Sequence, residues 1–393
     1  MPEPPARLSP LPVVIVGAGP AGLSVAAELN RRGIRPTILE AGPAVGWSWR
    51  RHYPFLRLHS TRRDSSLPGL AIPRSAGRYP SRDAFADYLD AYAARLDADL
   101  HLETVVRSIE RAEGGGWLVE CDDGRCFRAR HVVVAAGFNR VPVRPAIAGE
   151  QTFGGPVLHS TRWSELGEVA GRRVLVVGLG NTGADLVEEL SATGAEVSVA
   201  VRGPLHLVPV EIAGVNWRTW YRLAPETLYA LGRLMPSPLR RRLPLLAASF
   251  WSLVHRRGFG DLEARGLRLQ RTGELVEHWA ARRAPLTAGP FVDRIRRGEV
   301  RVLPALAALH PGEAETADGA RHAVDAVVLA TGYRPALEEL LPAEALPADG
   351  EWPPEGRPAL PGLWFCGCLP ELVRIRRAAR RVGRGVARDL SIS

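Results

Sequence analysis

Two glycine-rich loops constrain this 393-residue chain more than any other feature. Residues 17–22 read GAGPAG and residues 178–183 read GLGNTG, and each loop lies between an apolar run and a helical pattern. In a GxGxxG loop the first glycine permits a tight turn, the second lets a pyrophosphate approach the backbone, and the third lets the helix pack against the strand. The sequence therefore predicts two dinucleotide-binding βαβ units.

The first loop lies in a complete βαβ pattern. Residues 12–16 are an apolar run of strand length, residues 23–32 follow a helical pattern, and residues 36–39 form a second strand that ends in Glu40. A carboxylate at this distance from the loop can accept hydrogen bonds from ribose hydroxyls, and the helix N-terminus supplies N–H groups to the phosphates. The residues expected to bind this dinucleotide are Gly17, Gly19, Gly22 and Glu40.

The second loop has the same surroundings but a different charge. A strand at 173–177 precedes it, a helix at 184–193 follows, and the next strand, 196–201, ends in Arg202. A guanidinium can bind a 2′-phosphate through two hydrogen bonds, which favours NADPH over NADH. The alternative is that Arg202 only decorates a strand end. The residues expected to bind NADPH are Gly178, Gly180, Asn181, Thr182, Gly183 and Arg202.

Composition limits the other possibilities. The length exceeds what one hydrophobic core usually supports, so two domains are expected. The net charge is +9 and all 51 basic residues are arginine, but they are spread along the chain without a nucleic-acid-binding pattern, which argues against a nucleic-acid partner. The longest apolar run of interest, 243–254, is shorter than the roughly 20 residues of a membrane span, and the N-terminus lacks a signal pattern. We expect a cytoplasmic protein without integral membrane association.

The four cysteines match no common metal or redox motif. Cys121 and Cys126 flank the turn-forming residues 122–125 and are predicted on the two arms of a β-hairpin. Cys366 and Cys368 follow a late apolar strand. We interpret all four as structural, and no metal site is predicted.

Between the two loops, residues 153–163 read FGGPVLHSTRW. The spacing Phe-x-Gly-x-x-x-His-x-x-x-Trp resembles the fingerprint of class B flavin-dependent monooxygenases. That family includes the flavin-containing, the Baeyer–Villiger and the YUCCA-type indole-3-pyruvate monooxygenases. Trp163 agrees with the Baeyer–Villiger version, while the rest of the chain is most similar to YUCCA-type enzymes.

The resemblance extends to further segments. Residues 47–60 are similar to the segment that follows the flavin-ribose acid in YUCCA-type enzymes, which implies that Trp49 and Arg50 lie near the flavin. The alternative for both is an aromatic loop that packs on the sheet. Residues 100–106 are predicted to form one strand, and Val105 in it matches the family position whose backbone faces the adenine. Residues 132–137 and 327–333 resemble the strand and Ala-Thr-Gly turn of the family, which implies cofactor contact for Thr331, and Gly367 ends the last flavin-domain strand.

Together these features predict an α/β fold with two Rossmann-like dinucleotide-binding domains, the NADPH domain inserted into the FAD domain. The expected boundaries are 1–160 with 331–393 for FAD and 161–330 for NADPH. A helical insertion is expected at about 216–282, whose aromatic residues are either core or part of a substrate pocket.

The resemblance implies an NADPH-dependent FAD monooxygenase. In the family, NADPH reduces FAD, dioxygen forms a C4a-(hydro)peroxyflavin, and one oxygen atom passes to a small organic substrate, here a 2-oxo acid, a ketone, or a nitrogen or sulfur centre. His159, on the expected hinge between the domains, would couple nicotinamide binding to positioning, and direct proton transfer is the alternative. The competing functions are an NADPH oxidase or dithiol-linked reductase, and a non-catalytic flavoprotein that senses nicotinamide. The sequence does not define the oligomeric state.

Overall fold

The computed structural model describes residues 10–219, 253, 256–270, 285–347, 353–368 and 372–391. The chain divides into two compact units. The first unit comprises Met1–Val141 with Tyr333–Ser393, and the second comprises Pro142–Gly332. Most of the expected insertion at 216–282 lies outside the described residues, so its aromatic residues from 220 to 251 are not placed.

The described strands follow one another along the whole chain. Those up to the second glycine loop are β1 (Leu11–Val16), β2 (Thr37–Leu39), β3 (Asp99–His101), β4 (Val106–Arg111), β5 (Trp117–Cys121), β6 (Cys126–Val134), β7 (Val141–Pro142), β8 (Val157–His159) and β9 (Arg173–Val177). Those after it are β10 (Glu196–Ala200), β11 (Leu207–Pro209), β12 (Glu211–Ile212), β13 (Val215–Asn216), β14 (Leu286–Ala288), β15 (Arg301–Leu303), β16 (Leu306–His310), β17 (Glu313–Thr316), β18 (Arg321–Ala323), β19 (Ala326–Leu329), β20 (Tyr333–Arg334), β21 (Pro358–Leu360) and β22 (Leu363–Phe365).

The α-helices are fewer. Those with described bounds are α1 (Pro20–Asn30), α2 (Trp47–Arg50), α3 (Arg62–Ser65), α4 (Arg82–Ala93), α5 (Asn181–Ala192), α6 (Phe291–Arg297) and α7 (Leu372–Ser391). Both helices predicted after the glycine loops are present, but each begins three residues earlier than the sequence pattern indicates. Within the described residues, no helix combines the length and the apolar character that crossing a bilayer requires.

The first unit is built on an eight-stranded sheet. Its main order is β21-β22-β6-β1-β2-β3, and the β4–β5 hairpin extends it through β6. β1 is parallel to both β2 and β6, as a βαβ unit requires. Val13 and Ile15 of β1 belong to the core formed with α1 and α7, while Val14 and Val16 belong to the core formed with the hairpin. The strand is apolar throughout because both faces of the sheet are covered.

Two sequence predictions in the first unit have different outcomes. The hairpin is confirmed, because β5 and β6 pair antiparallel with Glu120 opposite Cys126. The single strand expected at 100–106 is wrong, because the chain forms β3 and β4 with a break between them. At the break, Glu103 has a positive φ of 49° and the Thr104 N–H donates to the Glu40 carbonyl at 2.8 Å. Strand β3 therefore ends where the backbone turns at Glu103 and Thr104 bonds to Glu40.

The second unit is built on a five-stranded parallel sheet in the order β15-β10-β9-β19-β8. Its strands β9 and β10 carry the second glycine loop between them. The small antiparallel sheet β16-β17-β18 belongs to the same unit.

The unit boundaries differ from the expected domain boundaries. Residues 142–160 belong to the second unit because β8 pairs with β19, with His159 opposite Leu329. Thr331 and Gly332 also belong to the second unit, since they directly follow β19. Strand pairing decides both points, and the sequence carries no local signal for it.

Candidate functional site

The first glycine loop is closed so tightly that only glycine fits at two positions. Gly17 has φ +106°, and an added Cβ would lie 2.6 Å from the Ala135 carbonyl oxygen. An added Cβ on Gly22 would lie 1.9 Å from the carbonyl oxygen of Gly17. These short distances show that the N-terminus of α1 lies directly against the ends of β1 and β6.

The middle glycine of this loop faces open space. A Cβ on Gly19 would meet no atom within 4 Å, and Gly19 is the N-cap of α1, with Pro20 as the first helical residue. A helix N-terminus carries unpaired N–H groups and a partial positive charge, which favours an anion. The loop therefore fits a pyrophosphate that approaches at Gly19.

Glu40 lies at the end of β2, as predicted, and it is 9% exposed. Its Oε2 accepts a hydrogen bond from the Ala18 N–H at 2.7 Å, and its Oε1 accepts one from the Gly42 N–H at 2.9 Å. Burial raises the pKa of the Glu40 carboxyl, while the two backbone donors oppose that rise. A carboxylate has about four acceptor positions, so Glu40 can hold the loop and still accept from ribose hydroxyls.

Val105 lies next to Glu40 because of the backbone hydrogen bond between Thr104 and Glu40. The residue is 42% exposed, and its carbonyl accepts from the Asp122 N–H at 2.9 Å. Val105 is therefore an exposed apolar residue beside Glu40, and its contact with an adenine stays a prediction.

Trp49 and Arg50 lie on the short helix α2 and are anchored to α4. The Trp49 ring packs edge-on against Phe85 with ring centroids 4.6 Å apart. Arg50 forms an ion pair with Asp90, and its Nε donates to the Val45 carbonyl at 3.2 Å. These contacts are with α4 and with the Val45 carbonyl, and flavin contact by either residue stays a prediction.

Gly367 follows β22 and closely approaches the first loop. It has φ +83°, and an added Cβ would lie 2.5 Å from the Cβ of Ala21 in α1. The next residue, Cys368, donates its N–H to Oε1 of Glu355 at 2.7 Å. Glu355 therefore brings a carboxylate to this strand end, a contact that the sequence did not indicate.

The second loop repeats the geometry of the first. Gly178 has φ +97°, and an added Cβ would lie 2.7 Å from the Ala330 carbonyl oxygen. An added Cβ on Gly183 would lie 2.2 Å from the Gly178 carbonyl oxygen, while one on Gly180 would meet nothing within 4 Å. Gly180 is the N-cap of α5, so this loop also presents an open helix N-terminus.

The turn that contains Thr331 lies against the second loop, whereas the expected domain boundary put Thr331 in the FAD domain. Ala330 directly follows β19 and abuts Gly178, as Ala135 abuts Gly17 after β6. The Thr331 hydroxyl donates to the Val143 carbonyl, and the Val143 N–H donates to the Gly332 carbonyl at 2.9 Å. Each glycine loop thus has its own adjacent turn.

Arg202 is exposed just beyond the end of β10. Nη2 of Arg268 lies 3.5 Å from the Arg202 carbonyl oxygen. The Leu205 N–H donates to the Arg268 carbonyl at 2.9 Å, and the Leu205 carbonyl accepts from the Gln270 N–H at 2.9 Å. The structure therefore brings a second guanidinium to this strand end. Sequence reasoning missed Arg268 because 66 residues separate it from Arg202.

Asn181 and Thr182 both lie in the first turn of α5. The Asn181 side chain does not point into open space. Its Nδ2 donates to the Pro285 carbonyl at 3.1 Å, and its Oδ1 accepts from the Thr287 N–H at 2.9 Å.

The fingerprint segment lies entirely in the second unit, whereas the sequence interpretation put His159 on a hinge. Phe153 is a core residue of the five-stranded sheet, 2% exposed. An added Cβ on Gly155 would lie 2.2 Å from the Asp325 carbonyl oxygen, so the chain passes close to the start of β19. The first two fingerprint positions are therefore explained by packing.

His159 ends β8 and is buried. Its Nδ1 accepts a hydrogen bond from the Thr161 N–H at 3.2 Å, which caps the short helical segment that follows. Burial lowers the pKa of the imidazole, and the backbone of Gly332 acts in the opposite direction. A neutral ring with Nδ1 as acceptor carries its proton on Nε2.

All four cysteines are free thiols. Burial raises the pKa of Cys121 to about 11, and it also raises the pKa values of Cys126 and Cys366. Thiol exchange requires the thiolate, so these three groups are poorly suited to redox chemistry. The interpretation of the cysteines as structural agrees with these pKa shifts.

The lowered pKa of His159 predicts a pH-dependent contribution to stability. In the unfolded chain the imidazole takes up a proton near pH 6.5, whereas the folded protein resists protonation until a lower pH. The contribution of His159 to the free energy of unfolding is therefore fully present above about pH 6.5, and it is lost as the pH decreases toward the folded pKa. In His159→Asn the side-chain oxygen can still accept from the Thr161 N–H but does not titrate. We expect the urea midpoint to fall less between pH 8 and pH 5 in this variant than in the wild type; equal losses would contradict the assignment.

Comparison with known proteins places these two loops in a family. Residues 14–222 match the pyridine nucleotide-disulphide oxidoreductase model. The chain is 36% identical to indole-3-pyruvate monooxygenase YUCCA1 of Oryza sativa subsp. japonica, over 82% of this chain and 76% of that protein. It is 32% identical to YUCCA6 of Arabidopsis thaliana, over 82% of this chain and 75% of that protein.

Solved structures agree. A flavin-containing monooxygenase from Stenotrophomonas maltophilia is similar with a TM-score of 0.71 and 25% identity, over 98% of this chain and 100% of that one. The cyclohexanone monooxygenase of Rhodococcus sp. Phi1, solved with NADP+, shares the fold with a TM-score of 0.68 at 18% identity, over 98% of this chain and 85% of that one. The chain therefore belongs to the class B flavin-dependent monooxygenases, enzymes that use FAD and NADPH.

Proposed function

We propose that the first unit binds FAD, that the second binds NADPH, and that the enzyme transfers one oxygen atom from dioxygen to a small 2-oxo acid. One observation carries the division of labour. The same closed glycine loop occurs in both units, but the strand after the loop helix ends differently. In the first unit the buried carboxylate of Glu40 follows β2, and in the second unit the exposed Arg202 lies just beyond β10. Ribose hydroxyls suit the carboxylate, and a 2′-phosphate suits the arginine.

In the first unit, the proposed FAD site follows from the contacts of its loop. The pyrophosphate approaches the open position at Gly19, between the closed positions Gly17 and Gly22. Glu40 accepts from the adenosine ribose, and Val105 lies beside it for the adenine. Gly367, which follows β22, packs on the start of α1.

In the second unit, the proposed NADPH site uses Gly178, Gly180 and Gly183 in the same roles. Arg202 and Arg268 provide two positive groups at the strand end where a 2′-phosphate would lie. Thr331 shapes this site from the adjacent turn, because its hydroxyl is engaged with the Val143 carbonyl.

His159 acts by position in this proposal. When bound, the reduced flavin supplies the electrons with which dioxygen is activated. A neutral imidazole at pH 7 does not present an acidic proton, and Nδ1 is already engaged with the backbone. We therefore favour a role for His159 in holding the end of β8 beside the Ala-Thr-Gly turn over direct proton transfer.

The proposed substrate class is a 2-oxo acid, since the similar curated relatives are named indole-3-pyruvate monooxygenases. The raised thiol pKa values argue against the dithiol-linked reductase. The NADPH oxidase and the nicotinamide sensor are distinguished by product analysis. A cytoplasmic location stays a prediction from the sequence.

Alanine at the middle loop glycines tests which unit binds which cofactor. An added Cβ on Gly19 or Gly180 meets no protein atom, and both residues have negative φ, so each variant should fold normally. The methyl group would lie where a phosphate approaches, and losing one or two charge-assisted hydrogen bonds weakens binding about tenfold to a hundredfold. We expect Gly19→Ala to lose FAD affinity, and Gly180→Ala to keep FAD but bind NADP+ weakly by calorimetry. If Gly19→Ala weakened NADP+ binding and Gly180→Ala weakened FAD binding, the two cofactors would occupy the opposite units. If neither affinity changed, neither loop would bind a cofactor phosphate.

Arginine variants test the choice of nicotinamide. We expect Arg202→Ala to raise the KM for NADPH by about tenfold to a hundredfold, because a charge-assisted bond to the 2′-phosphate is lost, while kcat/KM for NADH stays unchanged. Arg268→Ala should act in the same direction. Arg301→Ala is the matched control, since it removes the same charge from a residue that pairs with Glu196 at the other end of β10. If Arg202→Ala keeps the wild-type preference, the guanidinium does not select the phosphate.

Labelled oxygen tests the reaction. A 2-oxo acid, O2, NADPH and H+ should yield a carboxylic acid one carbon shorter, CO2, H2O and NADP+, with one atom of ¹⁸O2 in the new carboxyl group. The panel of test substrates should also contain ketones, amines and thioethers. An oxygenated product from one of these compounds would identify its class as the substrate in place of the 2-oxo acid. NADPH consumption with stoichiometric hydrogen peroxide across the whole panel would favour the oxidase, and the absence of NADPH consumption would favour the sensor.

A further inference from the structure

Asn181 occupies the fourth position of the second glycine loop, where the sequence predicts contact with the nucleotide. Its side-chain amide is instead engaged with the chain at 285–287. Nδ2 donates to the Pro285 carbonyl and Oδ1 accepts from the Thr287 N–H. A strand would make the same pair of bonds, so the amide group acts as one rung of a ladder along β14.

The far side of β14 is also bonded. β14 pairs in parallel with β11, and the Leu286 N–H donates to the His206 carbonyl at 2.8 Å. Successive N–H groups of the segment therefore point in opposite directions, Leu286 toward β11 and Thr287 toward Asn181. This segment leads into α6, where Nε of Arg294 lies 3.2 Å from Oε2 of Glu188 on α5.

These contacts tie the chain that returns after residue 284 to the loop helix at two places. One is the amide of Asn181 at the first turn of α5, and the other is the ion pair of Glu188, about two turns along the same helix. The ion pair is partly exposed and weak by comparison. The Asn181 amide is thus the main polar link between the glycine loop and β14.

We propose that Asn181 is a positioning residue that fixes β14 to the phosphate-binding loop, so that nicotinamide binding and the order of segment 285–288 are coupled. This inference rests on the proposed binding of NADPH in the second unit. Turning the amide toward a nucleotide would break both bonds to the segment and leave the Pro285 carbonyl and the Thr287 N–H without them. Retaining them costs nothing if phosphate is bound by the backbone of the loop.

Coupling of this kind is reciprocal. If NADP+ binding at the loop is coupled to the order of segment 285–288, bound NADP+ must protect the Thr287 N–H from exchange, and loss of the connection through Asn181 must weaken NADP+ binding. The Leu286 N–H, which is bonded to β11, should respond to neither change.

Amide hydrogen exchange on the FAD-loaded full chain tests the proposal without nicotinamide. We expect the Thr287 amide to exchange about tenfold faster in Asn181→Ala, since one hydrogen bond is lost and the local opening free energy falls accordingly. In Asn181→Asp one carboxylate oxygen can still accept from the Thr287 N–H, but the other cannot donate to the Pro285 carbonyl, so exchange at Thr287 should lie between that of the wild type and that of Asn181→Ala. The Leu286 amide is the internal control in every sample.

Thr287→Val is the matched control on the other side of the contact. The Thr287 hydroxyl is buried, the residue being 4% exposed, and it has no hydrogen-bond partner among the described residues. Valine removes the hydroxyl and keeps the N–H, so exchange at position 287 and NADP+ affinity should stay at wild-type values. Weaker NADP+ binding in this variant alone would make the hydroxyl the ligand and overturn the role of Asn181.

The second arm adds NADP+. We expect it to slow exchange at Thr287 in the wild type but not in Asn181→Ala. Unchanged exchange in Asn181→Ala without nucleotide would overturn the proposal, and weakened NADP+ binding together with unchanged exchange would identify Asn181 as a direct ligand. If the wild type fails to bind NADP+ while the exchange pattern holds, the proposed function fails and the structural link stands.

Discussion

In both units the carbonyl oxygen of the first loop glycine occupies the place that a side chain on the third glycine would need. The distances, 1.9 Å at Gly22 and 2.2 Å at Gly183, leave no room for a Cβ. This closeness brings a helix N-terminus to the ends of the parallel strands. A phosphate can then be bound by backbone N–H groups, and the identity of the nucleotide is left to the residues around the loop.

The two sites have the same loop geometry and differ in the charge of the residue that follows the second strand of each βαβ unit. In the first unit a buried carboxylate bonds the loop itself, through the Ala18 and Gly42 N–H groups, and retains acceptor capacity. In the second unit the equivalent place is beyond the end of β10, where Arg202 is exposed and Arg268 approaches it. The proposed division between FAD and NADPH follows from this difference, because the loops cannot discriminate between two adenine dinucleotides.

Several residues that a family pattern associates with cofactors have clear packing roles here. Phe153 and Gly155 fill and close the second sheet, Arg50 is paired with Asp90, and Asn181 is bonded to β14. A pattern of residue types cannot separate contact with a ligand from contact with the protein, since hydrogen-bonding groups serve both. The two are separated only when the partner atoms are known.

The sequence by itself determined the two βαβ units, the acid and the arginine at their strand ends, and the β5–β6 hairpin, because all of these depend on short-range periodicity and on conformations that only glycine adopts. It did not determine the break between β3 and β4, the pairing of β8 with β19, the assignment of the Thr331 turn to the second loop, or the approach of Arg268 to Arg202. Each of these joins segments that are distant along the chain or depends on a bond to another strand. Only the tertiary structure decides them, since the energy of such contacts depends on which surfaces meet and not on the local order of residues.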